Sequence, residues 1–233
     1  MGIEQRYRDV CDEVAACCRA AGRDPREVRV VAVSKTVGMD EVAEAVAAGA
    51  HDFGENRPEG LAGKAERFPQ ETWHFIGNIQ SRRIPEIAKS AALVHSLHEE
   101  RHLAKFETAA EAVGKVQDVL LEVNVSGEQS KSGLAAKDVP AMIRRCADFP
   151  HVRVRGLMTM APQGDLALAR SCFEALARLR GDIRGSLDPV RADAFDELSM
   201  GMSEDWREAV AAGATIVRIG RAIFDNAFGA ASR

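Results

Sequence analysis

The sequence predicts an α/β protein built as a single TIM-like (β/α)8 barrel with one extra helix at its N-terminus. Short apolar runs alternate with longer Ala-, Glu- and Leu-rich stretches along the whole chain. This alternation is typical of parallel strands joined by helical crossovers. Eight candidate strands can be counted, and no Pro- or Gly-rich linker divides the 233 residues. Because barrels of roughly 200–250 residues often form one domain, we expect residues 1–233 to be a single domain.

The first expected element is an amphipathic helix within residues 1–22, which would pack on the barrel. Its apolar side chains recur every three or four residues, and Gly22 with Pro25 beyond it gives a stop signal. The candidate strands are 28–34, 52–54, 73–76, 93–96, 116–123, 152–158, 197–200 and 215–219. Stretches that favour helix lie between them, among them 40–48, 103–113, 166–179 and 204–211.

A doubly wound open sheet is the alternative architecture. Its dinucleotide-binding form would carry G-x-G-x-x-G after the first strand, but residues 34–38 read Ser-Lys-Thr-Val-Gly. A P-loop is also missing, because Gly127 and Gly133 have the wrong spacing for it. We therefore favour the closed barrel.

Composition and charge exclude several functional classes. The formal net charge is -4, and the basic pairs at 82–83 and 144–145 are isolated, so nucleic-acid binding is not expected. No apolar run reaches the roughly 18 residues of a membrane span, and the polar N-terminus lacks a signal-peptide core. The five cysteines form no C-x-x-C pair, which is typical of reduced thiols in a cytoplasmic protein.

Polar side chains concentrate where the predicted strands end. In an α/β barrel, the loops that follow the strands build the active face. The positions concerned are Lys35, Glu55, Asn56, Gly77, Asn78, His95, Ser96, Asn124, Thr159, 199–203 and 218–221.

Lys35 is the most informative of these residues. It follows the apolar run 30–33, which is typical of a strand buried on both faces. A lysine leaving such a strand at the barrel mouth would lose hydration, which favours the neutral amine that attacks carbonyls. A strand-end lysine that simply extends to water is the alternative interpretation.

The last two strand ends indicate an anion site. Segments 198–203 and 216–221 combine glycine with hydroxyl or guanidinium donors, and the loops after strands seven and eight are the usual phosphate site of this architecture. Ordinary turn chemistry would also explain these residues. A reactive lysine facing a phosphate cradle suits a ligand with an aldehyde and a phosphate, and pyridoxal 5'-phosphate (PLP) is such a ligand.

These segments resemble the YggS/PROSC family of pyridoxal phosphate homeostasis proteins over essentially the whole chain. The motifs that carry the resemblance are 33–36 (VSKT), 53–56 (FGEN), 73–77 (WHFIG), 130–133 (SKSG), 155–158 (RGLM), 198–203 (LSMGMS) and 217–220 (VRIG). The resemblance implies a barrel like the N-terminal domain of alanine racemase, with PLP held as a Schiff base on Lys35. By the same similarity, Ser203, Gly220 and Arg221 would hold the phosphate, the last two through backbone N–H groups.

Three further positions take their roles from the same resemblance. Asn56 and Ser199 would line the cofactor pocket, and Arg218 would face the pyridine nitrogen. The chain departs from the family at Arg82-Arg83, where Asn-Lys is common, and at Arg221, where a small hydroxyl residue is frequent. Lys131, in the SKSG motif, would add positive charge at the mouth or be a solvated loop lysine.

The resemblance favours binding over turnover. A guanidinium cannot accept a proton, so an arginine at the pyridine nitrogen leaves the electron sink of the cofactor weak. Racemases of this kind also use a tyrosine from an additional domain, and the one tyrosine here, Tyr7, falls in the first helix. We therefore expect a monomeric PLP carrier or buffer in intracellular vitamin B6 homeostasis, with apo-PLP enzymes as candidate recipients. A weak PLP-dependent amino-acid racemase is the alternative.

Two other classes of enzyme remain as weaker hypotheses. Residues 98–102 match H-E-x-x-H, the zinc-protease signature, but they open a charged segment and no third ligand follows, so we expect no metal site. Schiff-base aldolases also combine a barrel lysine with a late phosphate site. They need nearby acids, and Glu55 is the one acid at an early strand end.

Overall fold

Eight parallel strands form a closed barrel in this computed structural model, which describes residues 1–128 and 132–228. The strands follow one another around the ring in chain order, which confirms the predicted architecture. They are β1 Arg29–Val33, β2 Asp52–Glu55, β3 Thr72–Phe75, β4 Leu93–Leu97, β5 Gln117–Glu122, β6 Val152–Met158, β7 Glu197–Ser199 and β8 Ile216–Ile219.

Helices surround the barrel and connect its strands. They are α1 Ile3–Ala20, α2 Met39–Ala47, α3 Pro58–Arg67, α4 Ile84–Ser90, α5 Leu103–Ala112, α6 Val139–Cys146, α7 Leu166–Ser186, α8 Pro189–Ala194, α9 Trp206–Ala211 and α10 Arg221–Phe224. The helix α7 extends beyond the predicted 166–179 because its apolar face continues to the buried Ile183. The helix α9 begins later than residue 204 because Asp205 accepts the Met202 N–H at 2.6 Å and holds the preceding residues in a turn.

The additional N-terminal helix packs on the outside of the barrel, as predicted. Ile3, Tyr7, Val10 and Val14 form its buried face, and α1 contacts α2, α9 and α10. Arg6 ties it to the end of the barrel, because its Nε donates to the Ile223 carbonyl oxygen at 2.6 Å.

Ring closure brings the first and last strands together. Arg29 pairs with Ile216 and Ala32 with Ile219, so residues that follow β1 lie beside residues that follow β8. Side chains alternate between the two faces of each strand, and a compact apolar set fills part of the barrel interior. This set is Val31, Leu93, Leu120, Met158 and Ile216.

Two global expectations can be compared with the described residues. No helix there has both the length and the apolar character needed to cross a bilayer. The five cysteines are all free thiols, three of them buried.

Candidate functional site

A cleft of about 1090 Å³ opens at the carboxyl ends of the strands. The strand order explains its position, because the loops after β1, β2, β3, β6, β7 and β8 meet at this end of the barrel. Six of the seven predicted site residues line it: Lys35, Asn56, Ser203, Arg218, Gly220 and Arg221. The seventh, Ser199, lies elsewhere.

Lys35 stands at the rim of the cleft with an exposed side chain. The predicted loss of hydration at this residue is therefore wrong. The physical reason is that β1 ends at Val33, so Lys35 belongs to the following turn and not to the buried strand. No hydrogen bond or ion pair of the Lys35 amine is found within residues 1–128 and 132–228, which leaves the amine accessible from the cleft.

The backbone that carries Lys35 is held from below by a buried cluster. Ser34 is fully buried and donates its hydroxyl to Glu55 Oε1 at 2.7 Å. Lys64, on α3, forms an ion pair with the same carboxylate at 2.5 Å. Its Nζ also donates to the carbonyl oxygens of Ser34 at 2.7 Å and Val37 at 2.9 Å. Lys35 is thus an exposed side chain on a backbone held by buried contacts.

The loops after β2 and β3 meet at Asn56 and Gly77. A Cβ atom at position 77 would lie 2.0 Å from the Asn56 carbonyl oxygen, so only glycine allows this approach. Asn56 is half-buried and lines the cleft.

The loop after β7 presents Ser203 to the cleft. Gly201 has a φ of 91°, and a Cβ there would lie 2.5 Å from the Ala209 Cβ, which favours glycine at this bend. Ser203 is buried, and its Oγ accepts the Ala222 N–H at 3.3 Å, which joins the loops after β7 and β8. Burial raises the pKa of Asp205 just beyond, against the lowering effect of its hydrogen bond from the Met202 backbone N–H.

Gly220 and Arg221 begin α10, where backbone N–H groups have no partner within the helix. A Cβ at Gly220 would lie 3.2 Å from the Val33 carbonyl oxygen, so the first and last loops approach closely here. The Arg221 side chain is exposed, pairs with Glu204 and lies over the Phe228 ring at 5.3 Å. What Arg221 offers at the base of the cleft is therefore its backbone.

Arg218 is the buried cation of the site, 4% exposed. Its guanidinium donates to Ser199 Oγ at 2.6 Å and to the Thr159 carbonyl oxygen at 3.1 Å. Burial lowers the Arg218 pKa to about 10, while Asp205 and Glu122 act in the opposite direction, so the group stays charged at neutral pH. Ser199 is fully buried beneath Arg218 and is not among the cleft-lining residues; it supports the arginine rather than lining the pocket.

Two histidines that sequence reasoning did not connect lie behind Ser199. His95 contacts Ser199 Oγ at 2.8 Å, and His74 contacts His95 at 2.9 Å and Asp52 at 2.9 Å. His74 is fully buried and hydrogen-bonded at both ring nitrogens, so it is a core residue. The signal in the sequence was one polar residue at an inward position in each of two apolar strands. The contacts that join these histidines to Ser199 depend on the closed ring and could not be predicted from it.

The competing constellations have other roles in the structure. In the H-E-x-x-H segment, His98 contacts Glu122 at 3.3 Å and Glu99 pairs with Arg101 at 2.5 Å. The described residues hold no group of three metal-ligating side chains. Glu55, the acid that an aldolase would need, is committed to Ser34 and Lys64.

Two basic segments singled out in the sequence can also be placed. Arg83 pairs with Glu59 at 2.5 Å and with Glu86 at 2.6 Å, so it joins α3 to α4. Ser130 and Lys131 of the SKSG motif lie outside the described residues. Ser132, next to them, donates to Glu122 Oε1 at 2.7 Å.

Comparison with known proteins agrees with this geometry. The family model for the alanine racemase N-terminal domain matches residues 13–226. A pyridoxal phosphate homeostasis protein of Pseudomonas aeruginosa is 39% identical over 225 residues, covering 95% of this chain and 94% of the relative. The protein of the same name from Escherichia coli is 34% identical over 232 residues, with 95% of each chain covered.

Solved structures give the same result. PipY of Synechococcus elongatus, determined with PLP bound, superimposes with a TM-score of 0.80 at 28% identity, covering 95% of this chain and 99% of PipY. Alanine racemase of Bacillus anthracis has a TM-score of 0.69 at 14% identity and shares the fold alone; this chain spans 56% of it.

The fold and the cleft define a barrel of the alanine racemase N-terminal class. Within that class, the coverage and identity of the relatives are specific: the chain belongs to the family of pyridoxal phosphate homeostasis proteins.

Proposed function

We propose that this protein binds PLP as a Schiff base on Lys35 and acts as an intracellular carrier or buffer of the cofactor. The observation that carries the proposal is one cleft lined both by an accessible lysine amine and by the buried donors Ser203, in the loop after β7, and Arg218, in β8. Condensation of the amine with the aldehyde would form the C=N bond and release water. The PLP bound to the related PipY supports this choice of ligand.

The proposed roles of the other residues follow from their chemistry. Ser203 and the backbone N–H groups of Gly220 and Arg221 are donors suited to a phosphate. Asn56 lies at the edge of the same cleft and would contact the ring, and Arg218 would donate to the ring nitrogen. Ser199 has a different role in this proposal from the one predicted, because it holds Arg218 from beneath.

Retention rather than turnover is favoured by the protonation chemistry of the cleft. Arg218 is charged and donates hydrogen bonds without accepting a proton, so it would keep the ring nitrogen unprotonated and the electron sink weak. A racemase also needs a base on each side of its substrate. Tyr7 is buried in α1 and does not line the cleft, and burial raises the pKa of its phenol.

The same proposal covers the setting in which the protein works. We place it in the cytoplasm as a single-domain monomer that keeps a reactive aldehyde out of solution. Apo-PLP enzymes are the proposed recipients, and the cleft opens at one end of the barrel, where a recipient could take the cofactor.

Borohydride reduction tests the covalent step. The wild type incubated with PLP should gain a visible chromophore and, after reduction, the mass of one phosphopyridoxyl group on the peptide containing Lys35. Lys35→Ala should lose both signals, whereas Lys105→Ala, at an exposed lysine of α5, should keep them. Labelling that persists in Lys35→Ala at equal occupancy would refute the assignment.

Turnover is measured separately. Rapid exchange of the α-proton of an amino acid, or racemisation by the pure PLP-loaded protein, would reject the carrier role and favour the weak racemase.

A further inference from the structure

Five polar side chains form a continuous hydrogen-bonded chain through the barrel interior. Arg218 Nη1 lies 2.6 Å from Ser199 Oγ, and Ser199 Oγ lies 2.8 Å from His95 Nδ1. His95 Nε2 lies 2.9 Å from His74 Nδ1, and His74 Nε2 lies 2.9 Å from Asp52 Oδ1. The contact between His95 on β4 and Ser199 on β7 joins strands that are not neighbours, so it crosses the barrel. This series of hydrogen bonds runs from the cleft to the opposite end of the barrel.

The order of donors and acceptors in this chain follows from its two ends. Arg218 can only donate, so Ser199 Oγ accepts from it. The Asp52 carboxylate can only accept, so His74 Nε2 carries the proton. A neutral His74 then accepts at Nδ1 from His95 Nε2–H, and the neutral His95 accepts at Nδ1 from the Ser199 hydroxyl. Each of the four hydrogen bonds is therefore donated in the direction from Arg218 towards Asp52.

One added proton on His74, next to Asp52, reverses two hydrogen bonds: the one between His74 and His95 and the one between His95 and Ser199. If His74 carries protons on both ring nitrogens, its Nδ1–H donates to His95 Nε2, and His95 must hold its proton on Nδ1. The Nδ1–H group then donates to Ser199 Oγ, which accepts twice. The Ser199 hydroxyl proton then has no acceptor left among these five side chains. The two arrangements differ by a single proton and by the direction in which Ser199 donates.

We propose that Asp52, His74 and His95 are positioning residues that set the direction of the Ser199 hydroxyl and thereby the way Ser199 holds Arg218, the member of this series that lines the cleft. In the deprotonated arrangement, Ser199 accepts from Arg218 alone and donates to His95. In the protonated arrangement, Ser199 accepts from both Arg218 and His95, so the two donors compete for the same oxygen. The effect on the ligand rests on the proposed function; the order of the hydrogen bonds does not.

The surroundings keep His95 neutral and Asp52 ionised, as both arrangements require. Burial, with the charges of His74, Arg218 and Arg29, lowers the pKa of His95 well below its ordinary value. Burial acts to raise the pKa of Asp52, but the hydrogen bond and charge of His74 and the charges of Arg29 and His51 lower it overall.

Other charged groups at that end of the barrel are accounted for. Arg29 on β1 is paired with Glu197 on β7. Tyr7 on α1 faces Asp52, and its phenol stays neutral because burial raises its pKa. The Asp52 side chain is 23% exposed, so a proton can reach the chain from solvent there, whereas His74 is fully buried.

The first test uses the protein without ligand, so it does not depend on the proposed function. NMR correlation of ring nitrogens with carbon-bound ring protons distinguishes the two histidine tautomers. At neutral pH we expect both His74 and His95 to carry the proton on Nε2, and on acidification we expect His95 to move it to Nδ1. A proton on Nδ1 of His95 at neutral pH, or no change of tautomer before acid unfolding, would overturn the proposal.

The second test uses the PLP-loaded protein and a matched pair of variants. Asp52→Asn keeps an acceptor for His74 but removes the charge that stabilises the protonated ring, so the acidic transition in the visible absorption should move down by about one pH unit or more. Asp118→Asn is the control, because Asp118 is also 23% exposed at the start of a strand but pairs with Arg153. It should leave the transition unchanged, and equal shifts in both variants would overturn the proposal.

A third variant covers the case in which Asp52→Asn does not fold. His95→Gln retains a donor and an acceptor but cannot exchange tautomers. The acidic transition in the visible absorption should therefore be lost, while one PLP still binds per chain. A transition identical to that of the wild type would refute the positioning role of His95. Loss of PLP binding in the wild type would refute the proposed function and leave the NMR result standing.

Discussion

Replacing Lys64 by methionine tests the support beneath the turn that carries Lys35. Lys64 and Glu55 are 6% and 2% exposed, and they form an ion pair at 2.5 Å. Methionine fills a similar volume but removes the cation, so the Glu55 carboxylate would remain buried with only Ser34 as a partner. The carbonyl oxygens of Ser34 and Val37 would lose their donor as well.

The expected cost is large because one half of a buried pair is removed. Breaking such a pair costs about 3–5 kcal/mol, much of it from the isolated charge. For a chain of this size, each kcal/mol lowers the melting temperature by roughly 2–4 °C, so we expect a decrease of about 6–20 °C. Glu55→Gln combined with Lys64→Met removes both charges and should recover more than half of the loss.

Urea unfolding and thermal melting measure this loss, with Lys89→Met on the exposed face of α4 as the control. Formation of the PLP chromophore should also be slower in Lys64→Met, although Lys35 is unchanged, because the turn that carries it loses two anchors. A decrease below about 1 kcal/mol would show that the cluster is not a buried ion pair in energetic terms. A double variant no more stable than Lys64→Met would contradict the role assigned to the isolated charge.

Two further changes probe the cleft and the contact between His98 and Glu122. Gly77→Ala should destabilise the protein by about 1–3 kcal/mol and weaken PLP binding, because its Cβ would lie 2.0 Å from the Asn56 carbonyl oxygen. Gly63→Ala in α3, where the nearest atom is 3.7 Å away, should be neutral or stabilising in the same urea titration. The hydrogen bond with Glu122 raises the pKa of the His98 ring above its ordinary value of 6.5. The contribution of this contact to the free energy of unfolding is therefore complete below pH 6.5 and is lost as the pH rises through the raised pKa. His98→Gln should therefore lower the melting temperature at about pH 5.5 and have little effect at about pH 8.5. An equal decrease in melting temperature at both pH values would contradict the raised pKa of His98.

The strands, the N-terminal helix and most of the cleft could be predicted from the sequence because they depend on local patterns. Short apolar runs mark buried strands, and the position directly after each run marks the face of the barrel where the site forms. Six of the predicted residues meet there for that reason. The exposure of Lys35 was missed because the end of β1 is set by ring closure.

The parts that were missed depend on contacts between distant elements. Lys64 reads as a surface residue of a helix, although it lies three residues after the buried Leu61 and so shares its inward face. The buried position of Ser199 and its contact with His95 require the register of β4 and β7 on opposite sides of the ring. No local pattern in the sequence contains that register.

The seam between β1 and β8 has a consequence for how a ligand and the barrel depend on each other. Lys35 leaves one side of this seam, and Arg218 and Gly220 lie on the other, so a molecule bound to both sides spans it. Opening the seam would pull such a ligand apart from one of its attachments. Ligand binding should therefore slow amide hydrogen exchange most strongly along β1 and β8, and a ligand in the cleft would stabilise the closed ring of strands.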